Sequence, residues 1–468
     1  MPPATNSKLS DQNVVFDRHL IDRYNVSGPR YTSYPTALQF GELSSLELLR
    51  QISVSPFVDR DMSLYVHLPF CATLCYYCAC NKVVTRKREP LQEYLDLLRR
   101  EIDLIAPHFG NRFVSQLHWG GGTPTFLEDD EVTALMHLLR ENFQFRDDSE
   151  GEFSIEIDPR TVDANRIQHL RSAGFNRLSL GIQDFNPDVQ KAVNRVQSFE
   201  LTRDVLSAAR RSGFRSVSVD LIYGLPKQTE ATFSTTLNQV VELRPNRISN
   251  YNYAHLPERF TPQKRIQASD LPAPEEKLDI LGLCIEKLTA EGYVYIGMDH
   301  FALPDDELAV AQREGTLQRN FQGYSTYADC DLLALGVTGI SQIGNSYSQN
   351  AKDLESYRQH LQRDQLPVER GVLIDAEDQL RKAVIKTLIC EFSLDFTSIE
   401  SAFNINFADH FSSELTALKR MAVDGLLTIH DGRIRVTQRG RLFIRNICMV
   451  FDRYIQAATM DKKFSKAI

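Results

Sequence analysis

Between residues 62 and 299 the chain alternates short β-rich apolar runs with longer stretches whose apolar residues return at steps of three and four. The short runs predict buried strands and the longer ones amphipathic helices. Their regular alternation is the mark of parallel βαβ construction. Strands are expected at 64–68, 113–119, 153–157, 177–182, 216–222 and 247–253, with a seventh candidate at 293–297. Helices are expected over 91–105, 131–143, 164–173, 201–211 and 231–243. In the first of these, Leu91, Leu95, Leu98, Ile102 and Ile105 share one face.

The texture differs on either side. Residues 1–55 read as an N-terminal extension covering the site, rich in turn formers and tyrosine at 27–35. Residues 56–300 form the expected barrel. Residues 301–370 read as a loop-rich connecting segment punctuated by Gly315, Gly323, Gly336, Gly339 and Gly344. Residues 371–468 read as a mainly helical C-terminal domain. Helices are expected at 378–390, 407–424 and 441–455, with short strands at 426–430 and 434–437 joined by the hairpin pair Asp431-Gly432. Helices plus one hairpin resemble a winged helix.

Composition narrows the classes. With 468 residues, 42% of them apolar, the chain can bury a sizeable core. Its 53 Lys and Arg against 61 Asp and Glu give a net charge of −8, which argues against nucleic acid or anionic membrane as partners. Residues 1–12 carry no apolar targeting core, and the uncharged stretches 62–80 and 332–351 are too polar for a membrane span. A cytoplasmic monomer is expected.

Four of the eight cysteines fall in one window, Cys71, Cys75, Cys78 and Cys80, directly after a strand. Cytoplasmic thiols stay reduced, so disulfides are a poor account of it. Burial as small hydrophobes suits Cys284, Cys330, Cys390 and Cys448 better than it suits this window. A zinc site is an alternative. The C-x3-C-x2-C spacing suits three corners of a 4Fe–4S cubane, leaving one iron open to a small molecule. Cys80 could be a fourth ligand or have another task.

Polar or glycine residues recur at the carboxyl ends of the expected strands: Gly120 to Thr123, Glu156, Gln183, Asp220 with Tyr223 to Pro226, and Tyr253-Ala254-His255. Each has an ordinary explanation as a turn, cap or structural hydrogen bond. In a parallel barrel, however, all of them meet on one face.

The run 65–71 with Cys75, Cys78 and 120–124 resembles the core signature of radical S-adenosylmethionine (SAM) enzymes. The resemblance extends to the oxygen-independent coproporphyrinogen III oxidases of haem biosynthesis, on residues 27–36, 80–82, 193–195, 220–226, 252–256, 297–302 and 319–324. It runs from residue 17 to the end. Ala79 departs from it, where glycine is expected.

The resemblance implies an open parallel (βα)6 barrel of the radical SAM type. It implies one 4Fe–4S cluster on Cys71, Cys75 and Cys78, and two SAM molecules per chain. Tyr65, Tyr77, Gly121, Glu156 and Ile340 match positions that hold the first SAM. Gly122, Thr123, Gln183, Arg195, Asp220 and Ala254 match a second SAM site. Cys80 would serve in the reaction rather than in the cluster. A 5′-deoxyadenosyl radical would take a hydrogen from the β-carbon of a substrate propionate, and loss of CO2 and one electron would leave a vinyl group. Two such events convert coproporphyrinogen III to protoporphyrinogen IX. A low-potential donor such as a flavodoxin or ferredoxin is implied. For the substrate carboxylates the candidates are Arg23, Arg30, Lys82, Arg86 and Arg319. A haem-binding carrier or a haem-modifying radical SAM enzyme is the alternative, though such carriers lack a cysteine at position 80 and the Val193-Asn194-Arg195 run.

Overall fold

In a computed structural model of the chain, residues 14–327 and 330–455 are described. The expectation drawn from residues 1–12 lies outside them. The chain divides into two compact units, Gln39–Ala273 with Asp329–Leu373, and Met1–Leu38 with Pro274–Ala328 and Ile374–Ile468.

All six expected barrel strands form in the first unit: β1 (Met62–Leu68), β2 (Phe113–Gly121), β3 (Glu152–Ile157), β4 (Arg177–Gln183), β5 (Ser216–Tyr223) and β6 (Arg247–Asn252). They pair in that order, every pair parallel. The intervening helices are Glu89–Ile105, Asp129–Asn142, Ala164–Ala173, Phe199–Arg211 and Glu230–Leu243. Side-chain caps start several of them, with Asp163, Ser198 and Thr229 accepting the orphan amides of Arg166, Leu201 and Thr232. Along β3, and along β4 and β5 after their first residue, burial alternates. One face is fully covered; the other is half-open and carries Glu156, Ser179, Gln183 and Asp220. A sheet packed by helices on one face and hollow on the other gives this period of two.

The segment 301–370 is not loop-rich. It supplies β7 (Asp331–Leu335), parallel to β1, then β8 (Ile340–Ile343), β9 (Ser346–Asn350) and β10 (Val368–Leu373) in an antiparallel meander. Gly41–Glu42 closes the far edge against β10. These strands escape an apolar-run search because they bury polar side chains. Ser341 accepts the Ala334 amide, and Asn350 bonds both Glu101 and the Gly336 carbonyl. Four of the five suspected loop glycines, Gly315, Gly323, Gly336 and Gly344, stand at positive φ.

In the second unit the seventh candidate strand, Val294–Gly297, is one arm of an antiparallel hairpin with His300–Ala302 and not a further parallel unit. Met298 at φ 55° makes the turn. The C-terminal helix Ala376–Glu391 forms as expected, but 407–424 breaks into Phe407–His410 and Ser412–Val423. The strands Leu427–His430 and Arg433–Val436 pair across Asp431 and Gly432, both left-handed as a type I′ turn requires, and Ser393–Asp395 adds a third strand. The long helix expected over 441–455 shrinks to a 3-10 turn, Arg441–Phe443, and the helix Ile444–Met449. Beyond it Asp452 accepts the Tyr454 amide and the Tyr31 hydroxyl, and such side-chain bonds compete with helix propagation.

Nor is 1–55 one extension. Residues 14–38 belong to the second unit, where buried Arg445 donates to the Gly28 and Pro29 carbonyls and Asn446 to Tyr24. Helix Ser45–Ser53 belongs to the first.

Candidate active site

The cysteine loop is closed at its root. Phe70–Cys71 pairs in parallel with Val83–Val84, and the Val83 and Thr85 amides bond the Pro69 and Cys71 carbonyls at 2.7 and 3.0 Å. Its outer part is tied by the Tyr76 amide to Val193, by Asn194 to the Leu74 carbonyl and by Gln263 to the Tyr77 carbonyl. The loop forms one wall of a cavity of about 530 Å3 at the carboxyl ends of the parallel strands.

Cys71, Cys75, Cys78 and Cys80 all line this cavity, and all are free thiols. Burial pushes Cys71 up to about 11, while the Thr123 hydroxyl, 3.4 Å from its sulfur, pulls the other way. Cys78 is pushed down to about 6 by its hydrogen bond with Cys80 and by the Lys82 ammonium. Cys75 faces two guanidinium groups, Arg195 at 3.6 Å and Arg160 at 3.8 Å. Among the described residues no three His, Cys, Asp or Glu side chains are grouped tightly enough to hold a single metal ion. Three thiols spread around a shared cavity suit the separate corners of a cubane.

The glycine run crosses the end of β1. A Cβ on Gly122 would sit 2.6 Å from the Pro69 carbonyl carbon, and one on Gly121, at φ 111°, would strike the His67 ring. Bare backbone is thereby exposed to the cavity beside the thiols. The Gly121 amide donates to Glu156 at 3.2 Å. Burial alone would raise Glu156, but hydrogen bonds from His118 and Gly121 outweigh it and hold the carboxyl below its ordinary range. Asp220, opposite, is pushed up to about 7 by desolvation and by the charge of Glu156.

Gln183 sits on a bulge of β4 at φ 69°. Its Oε1 and the Nε of Arg195 are buried without a partner, polar atoms at the wall of a cavity with hydrogen bonds still to make. Those orphaned atoms, the bare glycines and the thiols together fit a cluster with a polar, adenosyl-bearing ligand beside it.

Of the residues matched to a first SAM site, Tyr77, Gly121 and Glu156 line the cavity. Tyr65 and Ile340 do not. The Tyr65 hydroxyl bonds His67 Nδ1 at 3.1 Å and its ring stacks on His118, while Ile340 opens β8. Of the second set, Gly122, Thr123, Gln183, Arg195 and Asp220 line it. Ala254 is exposed on the loop after β6. His255 bonds the Tyr253 hydroxyl, the structural role expected of it.

The basic candidates scatter. Lys82 lines the cavity and donates to the Cys78 and Cys80 carbonyls, and Arg86 is exposed. Arg23, Arg30 and Arg319 lie in the second unit. There Arg23 pairs with Asp424, Arg30 with Asp299, and Arg319 packs over Tyr324. Sequence reasoning missed Asp158, Arg160 and Ser179 on the cavity wall and His118 behind Glu156. Asp158 also caps the 3-10 turn Pro159–Thr161, accepting the Arg160 amide.

Comparison with known proteins places these features. Residues 65–240 match the radical SAM superfamily and residues 374–443 the HemN C-terminal domain. The chain is 52% identical over 460 residues to a protein of Escherichia coli (strain K12), covering 98% of this chain and 100% of that one. It is 51% identical over 457 residues to one of Pseudomonas aeruginosa, covering 97% and 99%. Both carry the name oxygen-independent coproporphyrinogen III oxidase. The crystal structure of the Escherichia coli coproporphyrinogen III oxidase, described as a radical SAM enzyme, superimposes with a TM-score of 0.90 at 51% identity, covering 95% of this chain and all of the other. The chain belongs to the oxygen-independent coproporphyrinogen III oxidases, within the radical SAM superfamily.

Proposed function

We propose that this chain oxidatively decarboxylates two propionate side chains of coproporphyrinogen III to vinyl groups, giving protoporphyrinogen IX in haem biosynthesis without oxygen. The observation that carries this reading is that one cavity gathers Cys71, Cys75 and Cys78 with Glu156, Gln183, Arg195 and Asp220. When bound, a 4Fe–4S cluster and SAM supply one-electron cleavage to a 5′-deoxyadenosyl radical, chemistry that no side chain of the protein can provide.

The protein's residues bind, orient and exclude water. Cys71, Cys75 and Cys78 hold the cluster, and the loop's tethers fix their positions. Glu156, with Tyr77 and Gly121, holds the first SAM, and Tyr65 supports it from behind through His118. Glu156 stays ionised, ready to accept from ribose hydroxyls or an ammonium group. Gly122, Thr123, Gln183, Arg195 and Asp220 hold a second SAM, to which Gln183 Oε1 and Arg195 Nε offer their unused hydrogen bonds. Cys80, on the cavity wall but outside the C-x3-C-x2-C triad, acts in the reaction. A low-potential flavodoxin or ferredoxin delivers the electron, and the enzyme works as a cytoplasmic monomer.

Anaerobic incubation with coproporphyrinogen III, SAM and a strong reductant should give a product lighter by two CO2 on mass analysis. An iron-loaded protein that cleaves SAM yet leaves the tetra-acid intact would overturn the assignment of substrate.

A further inference from the structure

Asp158 lies at the mouth of β3 and holds two arginines at once. Its carboxylate accepts from Arg160 Nη2 at 2.7 Å and from Arg195 Nη1 at 2.9 Å. Arg160 is locked further, because its own backbone amide and its Nε both bond Asp158 Oδ1 at 3.0 Å. Arg195 also donates to the Gly181 carbonyl at 2.6 Å. So neither guanidinium is free to swing, and both present an N–H to the same sulfur, that of Cys75. Two positive groups against one carboxylate leave a net charge of about +1 fixed at a thiol. Asp158 and Arg195 are buried and Arg160 is half-buried, so water screens that charge poorly.

Ion-pairing alone does not explain this arrangement. One arginine would neutralise Asp158, and a surface pair would need no fixed fork. What the second arginine adds is a second N–H on Cys75. Hydrogen bonds to cluster sulfurs and nearby charge set the reduction potential, and positive charge favours the more negative, reduced state.

Resting on the reading that Cys75 ligates the cluster, we propose that Arg160 is a positioning and tuning residue. Through its N–H to the Cys75 sulfur it raises the cluster's reduction potential, and Asp158 sets how far. Arg160 thus makes the first electron transfer easier.

The test is the midpoint potential of the anaerobically reconstituted enzyme without SAM, followed by absorbance and electron paramagnetic resonance. Iron content is measured first. Arg160→Gln should keep about four irons and shift the potential downward, and Asp158→Asn should shift it upward. Arg160→Lys, which keeps the charge but loses the fork, should show a smaller downward shift. Should Arg160→Gln lose its iron, Arg160→Lys decides by the same criterion. A purely structural role predicts no shift, or shifts of one sign in both positions, and either outcome overturns the proposal. A wild-type protein that takes up no iron, or a Cys75→Ala variant that keeps the full complement, would instead overturn the cluster reading beneath it.

Discussion

His118 Nε2 lies 3.1 Å from Oε1 of Glu156, and the other oxygen of that carboxylate takes the Gly121 amide. The histidine comes from β2 and the carboxylate from β3, so a cross-strand pair aims an acid over the glycine run. His118→Phe keeps the stack against Tyr65 and removes the hydrogen bond. The cluster should form with unchanged iron content, while SAM affinity falls several-fold. Equilibrium dialysis with labelled SAM measures it, and unchanged affinity would remove His118 from the site's support.

The cysteines should separate by role. Cys71→Ala, Cys75→Ala and Cys78→Ala each remove a corner ligand and should abolish the cluster's absorbance and iron. Cys80→Ala should retain both and lose turnover. If Cys80→Ala bleached like the others, a closed four-thiolate cluster would replace the open one.

Desolvation and the charge of Glu156 push the Asp220 carboxyl up to about 7. SAM carries a sulfonium and an ammonium, both attracted to the ionised form. Second-site affinity should therefore strengthen as pH rises through about 7 and level off above it. Asp220→Asn should bind weakly and without that pH dependence, its cluster intact. A parallel pH profile in wild type and variant would clear Asp220 of the effect.

Buried Glu101 accepts from Tyr357, Asn350 and the Gly336 amide, joining the helix Glu89–Ile105 to the turn between β7 and β8. Burial raises its pKa from 4.5 to about 7 despite those bonds. A raised folded-state value means the stabilising contribution is whole below 4.5 and is lost as pH climbs through about 7. Relative to Glu101→Gln, the wild type should lose up to about 3 kcal/mol over that interval. Urea midpoints of the two proteins across the range measure the difference, and parallel curves would show that Glu101 does not titrate there.

The parallel core was legible because its strands are apolar and its helices keep one face apolar, as Leu91 to Ile105 do. The meander β8 to β10 was not, since Ser341 and Asn350 are buried by hydrogen bonding, which an apolar pattern does not register. The thiols and strand-end residues were visible as residue types at telling positions. What stayed hidden was partnership. Arg160 and Asp158 are two residues apart, but Arg195 reaches them from the far end of the next strand's loop. Only the folded chain shows that Asp158 gathers both arginines at Cys75.

The short ladder of Phe70–Cys71 on Val83–Val84 carries one more consequence. It fastens the two ends of the thiol loop to each other by backbone bonds alone, independent of iron. Loss of iron to oxygen should then empty a standing socket rather than unfold a domain, making the damage repairable in place. The iron-free chain is expected to keep the circular dichroism of the loaded enzyme and to regain activity on anaerobic supply of iron and sulfide, with no refolding step.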